Sequence, residues 1–136
     1  MANAVKWTAA TVRLIIQNGS CDNNDVVVGA LGNHTDKDRW MDLQLQVQFG
    51  TAPTAGTVFH VYLNPRVIDQ QTIPTYGRVI GQFVVTNSTA AQICNTIQGI
   101  PIPPLECDIT IENKTGQNAT ASSIQLTGRT YNEEIQ

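Results

Sequence analysis

Met41-Asp-Leu-Gln-Leu-Gln-Val-Gln-Phe49 alternates without a fault. Met41, Leu43, Leu45, Val47 and Phe49 fall on one side, and Asp42, Gln44, Gln46 and Gln48 on the other. Successive side chains of a strand point to opposite faces of its sheet, so this stretch is a strand with one dry and one wet face. A dry face needs a second layer to cover it, and the rest of the chain can be read for that layer.

Downstream, Gly50 to Gly56 is a compact Gly/Pro/Ala turn, and Thr57 to Leu63 is a second alternating strand with Phe59, Val61 and Leu63 on its apolar side. The short connection predicts a hairpin with the first strand. His60 and Tyr62 then lie on the polar side as surface residues. Asn64-Pro65 ends the strand, because proline cannot donate to a ladder. Arg66 to Gly77 is irregular and polar. A loop of that length in a compact domain is where partner contact is expected first. Arg78 to Val85 reads as a strand bulged at Gly81. Ala91 to Gln98 is another, with Ile93 and Ile97 toward the core. Gly99-Ile-Pro-Ile-Pro-Pro-Leu105 is a stiff corner unable to pair centrally. Glu106 to Glu112 alternates again, placing Cys107, Ile109 and Ile111 inward and Asp108, Thr110 and Glu112 on a wet outer face. Ser122 to Tyr131 closes the pattern, with Ile124 and Leu126 on one face.

Upstream, Thr11 to Gln17 is β-rich and ends at Asn18-Gly19, a pair that readily takes positive φ. Val26 to Val28 is a short apolar run between polar loops. Asp22 to Asp25 lacks the alternating ligand spacing and distal Glu of a calcium loop. His34, Asp36 and Asp38 have no matching cluster elsewhere and read as solvated loop. Residues 1–10 form an extended N-terminal arm whose Trp7 needs somewhere to bury its indole, on its own domain or on a neighbouring subunit. Residues 11–136 form the domain. About seven or eight short strands without helical periodicity make an all-β, single-domain antiparallel β-sandwich. Its proline corners and long crossings favour a jelly-roll or Greek-key arrangement.

The composition narrows function. The chain has 136 residues and a net charge of -3, with only 14% charged residues against the ~25% of an average domain. Asn, Gln, Ser and Thr carry its polarity, and no basic stripe exists to neutralise phosphates, so nucleic acid is not an expected partner. No apolar stretch approaches a membrane span, and residues 1–7 lack the apolar core of a signal peptide, so no membrane is expected either. Three cysteines, Cys21, Cys94 and Cys107, leave one unpaired, which points to reduced, buried thiols made in a cytoplasm. The N-x-S/T matches at Asn18, Asn33, Asn87, Asn113 and Asn118 are products of composition. There is no nucleophile elbow, no phosphate loop and no Cys/His cluster. No enzyme, metal or cofactor is expected.

Five pieces together resemble the jelly-roll capsid decoration (cement) proteins of tailed bacteriophages: Trp40-Met-Asp-Leu-Gln-Leu45, Phe49-Gly-Thr-Ala-Pro-Thr-Ala-Gly-Thr57, Ile100-Pro-Ile-Pro-Pro104, Ile111-Glu-Asn-Lys-Thr-Gly-Gln-Asn118 and Thr130-Tyr-Asn-Glu-Glu134. The likeness runs from about residue 40 to the C-terminus. It implies a virion protein made in the host cytoplasm that assembles, as a homotrimer, on the outer capsid surface and clamps neighbouring capsomers. Its partners would be the major capsid protein and itself. The arm and the 66–77 loop are the expected contact segments, with Val5, Trp7, Arg66, Asp69, Tyr76 and Arg78 as interface residues. Two other readings remain open: a tail or head-fibre module, or a carbohydrate-binding β-sandwich module using Trp7, Trp40, Tyr62 and Tyr76 as platforms.

Overall fold

The computed structural model describes residues 5–33, 36–66 and 77–135. Asp69 and Tyr76, with His34 and most of the 66–77 loop, lie outside them. The described residues contain no helix. They form β1 (Val5–Trp7), β2 (Thr11–Gly19), β3 (Val26–Ala30), β4 (Trp40–Val47), β5 (Val58–Pro65), β6 (Arg78–Val84), β7 (Gln92–Ile93), β8 (Ile97–Pro101), β9 (Cys107–Lys114), β10 (Ile124–Tyr131) and β11 (Glu133–Ile135).

The strands make two antiparallel sheets. The first runs β2-β10-β4, with β7 and β8 sharing the far side of β4, and the second runs β3-β9-β5-β6. Between β2 and β10 the chain changes sheet at almost every connection, the β5-β6 hairpin and the step from β7 to β8 being the exceptions. Eight strand positions laid out in this way make a jelly roll. A small ribbon, β1 with β11, joins the ends of the described chain, pairing Val5 with Ile135 and Trp7 with Glu133.

The expected hairpin between β4 and β5 does not form. Strand β4 pairs with β10, β7 and β8, while β5 pairs with β6 and β9. The connection is tied to the second sheet: Gly56 N–H donates to the Val85 carbonyl (3.1 Å), and Val85 N–H donates to that of Thr57 (3.0 Å). Each strand has one wholly apolar face, and two such faces bury more surface by opposing each other than by lying side by side over water. Phe49 and Phe59 accordingly meet across the sandwich with ring centroids 6.3 Å apart. Met41, Leu43, Leu45, Val47, Phe59, Val61, Leu63, Ile109 and Ile111 are all buried in this core.

Two further expectations are corrected. Residues 91–98 form two short strands, and Ile93 is 63% exposed while Cys94 is buried. Ile93 stands opposite Gln46, which faces outward, so the next residue turns in, and Cys94 N–H donates to the Leu45 carbonyl (2.9 Å). Ile97 does pack against the core. The outer face of β9 is not wet: Asp108, Thr110 and Glu112 are buried. Strand β9 is central, flanked by Asn64, Tyr62 and His60 of β5 and by Ala30, Val28 and Val26 of β3. The buried carboxylates are compensated. Arg66 donates to Asp108 Oδ2 from Nε (3.0 Å) and Nη2 (2.8 Å). The Tyr62 hydroxyl donates to Glu112 Oε1 (3.1 Å), and Lys114 Nζ lies 3.9 Å from its Oε2.

Candidate functional site

The wet face of β4 is the floor of a surface groove. Register sets Trp40 beside Tyr131, Asp42 beside Arg129 and Gln44 beside Thr127, so the outward side chains of two central strands run as a double row. On the other flank β8 contributes Gln98, and the N–H of Gly99, at φ 64, donates to Asp42 Oδ1 (2.9 Å). That left-handed backbone suits glycine. Two adjoining clefts of about 430 and 330 Å³ share Asp42 and Arg129. The first continues past Tyr131 to Trp7, Thr8 and Ala10, and the second past Gln44 to Thr96, Gln98 and Thr127.

An aromatic corner closes one end. The β1-β11 ribbon carries Trp7 back onto its own domain, and the lock continues one residue further. Thr8 N–H donates to the Asn132 carbonyl (2.7 Å), and Asn132 N–H donates to Thr8 Oγ1 (2.8 Å). The Trp7 ring meets Trp40 and Tyr131 edge-on, at centroid distances of 6.1 and 5.4 Å, yet stays 54% exposed. The Tyr131 hydroxyl donates to Asp42 Oδ1 (2.9 Å). Burial first, and then the Asp42 carboxylate it donates to, raise the phenol's pKa.

Much of the groove's hydrogen-bonding capacity is unspent. Asp42 Oδ1 takes both bonds, while Oδ2 takes none from the described residues. Arg129 is exposed, and its guanidinium makes no hydrogen bond or ion pair with the described residues. The same holds for the side chains of Gln44, Thr96, Gln98 and Thr127. Of the groove residues, sequence reasoning marked Trp7, Trp40, Asp42 and Gln44, and it missed Arg129, Tyr131 and Gln98. Parity along 124–131 puts Arg129 and Tyr131 on the face opposite Ile124 and Leu126, but nothing local says that β10 lies beside β4.

Of the remaining expected interface residues, Val5, Arg66 and Arg78 are among the described residues. Val5 sits in β1. Arg66, expected at a contact, is engaged with the buried Asp108. Arg78 is exposed and donates from Nη2 to the Pro101 carbonyl (2.9 Å), the residue opposite Trp40. Arg78 also borders a cleft of about 450 Å³ walled by Leu63, Pro65, Pro101, Ile102 and Pro103.

Several polar side chains elsewhere are structural. Asn113 Nδ2 donates to the carbonyls of Cys21 (3.1 Å) and Gln117 (2.9 Å), and Asn23 Oδ1 accepts from Gly116 N–H (2.9 Å). Asn33 and Asn113 are fully buried, so two of the N-x-S/T matches cannot carry a glycan in the folded chain. Among the described residues no three His, Cys, Asp or Glu side chains cluster to hold a metal.

Fold and groove together define a jelly-roll β-sandwich domain with an open polar groove that ends in aromatic rings. No family model matches the sequence, and no curated protein matches it either. Solved structures do. A CBM36-1 domain of a multidomain xylanase from the hindgut metagenome of Trinervitermes trinervoides superposes with a TM-score of 0.56, at 12% identity over 89% of this chain and 96% of that one. A chain of turnip yellow mosaic virus gives 0.41, at 13% identity over 98% and 81%. A chain of desmodium yellow mottle tymovirus gives 0.36, at 11% identity over 99% and 89%. The first likeness shows the fold and speaks to no activity, and the two lower scores add nothing to it.

Proposed function

We propose that this chain is a structural virion protein of a tailed bacteriophage, a decoration protein that binds the outside of the capsid and stabilises contacts between capsomers. On this reading it is made in the host cytoplasm, assembles as a homotrimer, partners the major capsid protein, and performs no catalysis. The supporting observation is the end of the sandwich at Arg78. An exposed cation there, anchored on the Pro101 carbonyl, stands beside an apolar, proline-walled cleft on a two-sheet frame, and Leu63 and Ile102 tie the floor of that cleft to the core. Prolines lose little conformational freedom on docking, so such a wall binds at low entropic cost.

The test is re-binding of the purified chain to capsids stripped of it. Arg78→Glu should lower occupancy about ten-fold or more, the scale of one close charge contact at an interface. As an exposed substitution it should shift stability by no more than about 0.5 kcal/mol. Native mass measurement should give a trimer. Unchanged occupancy in Arg78→Glu would remove the cleft from the reading. A tag on this chain that labels only tails or fibres would replace the capsid role with a tail or head-fibre one.

A further inference from the structure

We infer that the groove across the first sheet is a binding site for an oligosaccharide. The inference goes beyond the capsid reading and uses an adjoining surface, centred on Arg129 where that reading centres on Arg78, with β8 between them.

The groove's chemistry is matched to linked sugar rings. A pyranose has apolar C–H faces and a rim of hydroxyls, each able both to donate and to accept. Its natural counterparts are an exposed aromatic ring and polar side chains that are not already bonded to each other. Trp7 supplies the ring, held by strand pairing and by Trp40 and Tyr131, so little ordering is left to do on binding. Asp42 Oδ2 offers a charged acceptor and Arg129 a fork of charged donors, the pairing that gives strong hydrogen bonds to neutral hydroxyls. Tyr131 and Gly99 fix the orientation of the Asp42 carboxylate by occupying Oδ1 alone.

Length matters as well. The second cleft carries the groove on past Gln44, Thr96, Gln98 and Thr127, four amide or hydroxyl side chains, with Leu43 beside them in its lining. One sugar would fill the Trp7 corner, and further units would lie along the amides. A peptide fits less well. Both central strands under the groove have their backbone groups paired on each side, so a peptide lying in it meets no free edge there, and strand addition is left to the sheet's outer strands. The polar half of the groove is lined mainly by amide, hydroxyl and charged side chains, which an apolar side chain would leave without partners.

The chain has two tryptophans, Trp7 and Trp40, and both stand at this corner, so intrinsic emission reports on the site directly. The full chain should be titrated with cellotetraose, xylotetraose, maltotetraose, chitotetraose and mannotetraose. Proline-rich and glutamine-rich peptides of similar length form the non-sugar arm. At least one tetrasaccharide should change emission saturably, and the matching monosaccharide should bind about ten-fold more weakly or worse, because it leaves the second cleft empty. Arg129→Ala, an exposed change, should weaken binding about ten-fold with folding and capsid occupancy intact. Trp7→Ala should abolish it. No response to any tetrasaccharide, a response to the peptides alone, or full affinity in a folded Arg129→Ala would each overturn the proposal. Loss of capsid binding in Arg78→Glu with sugar binding intact would show the two surfaces to be independent.

Discussion

Cys21, Cys94 and Cys107 are all buried and unpaired, and burial is the main cause that pushes their pKa values up to about 11, 11 and 12. In the unfolded chain a thiol titrates near 9. From about pH 9 upward the unfolded state therefore holds fewer protons than the folded state, and stability falls with rising pH. The contribution is fully present below pH 9 and is lost as pH climbs through the folded values. Tyr131 adds to it with the same sign. Urea midpoints should be flat from about pH 7 to 8.5 and then drop, by about 1 kcal/mol per thiol by about pH 10. Cys94→Ala should drop less, and a thiol reagent at neutral pH should label the native chain only as fast as it unfolds. The cysteines were legible as small buried hydrophobes because their neighbours are apolar. Asp108 and Glu112 were not legible as buried. Alternation assigns a residue to a face, and only the neighbouring strands decide whether that face meets water.

At the level of the strand, periodicity was informative and pairing was not. The parity of Met41 to Phe49 and of Cys107 to Ile111 can be read from side-chain pattern alone, because each strand carries its own dry face. Which dry face opposes which depends on connections such as Gly50 to Gly56, whose hydrogen bonds run to Val85, beyond any local window. The groove was half legible for the same reason: β4 announces its polar row, but Arg129 arrives from 87 positions along the chain from Asp42, a separation that follows from the paired register. The packing of β3 on β2 gives an element-level test. A Cβ on Gly29 would stand 2.2 Å from the Ile15 carbonyl oxygen and 2.7 Å from Ile16 Cγ1, and backbone cannot swing aside as a side-chain tip can. Gly29→Ala should cost about 2 kcal/mol or more. Gly128→Ala, whose new carbon would meet the flexible end of Ile15 at 2.9 Å, should cost clearly less. Equal urea midpoints for the two variants would mean that the strands are not packed this closely.

The molecule as a whole is held by pairings between its two ends. Strand β10 lies between β2 and β4, so the first sheet has no centre until residues 124–131 arrive. Arg13 of β2 donates from Nε to Thr130 Oγ1 (3.2 Å), across 117 positions of sequence. The terminal ribbon and the Trp7 corner add to the same dependence, since both need β11 and Tyr131. Loop closure over such distances has to be made before the contacts reward it, so folding is expected to be slow, on the millisecond-to-second scale of non-local β topologies. It should also be all-or-none. A chain ending at Thr120 would expose Met41, Leu43 and Leu45 on a strand with no central neighbour, and the second sheet alone would present half a core to water. That truncated chain should give no cooperative urea transition and no dispersed amide spectrum. A stable remnant built on β3, β9, β5 and β6 would show instead that the second sheet folds independently and that the two layers are separable units.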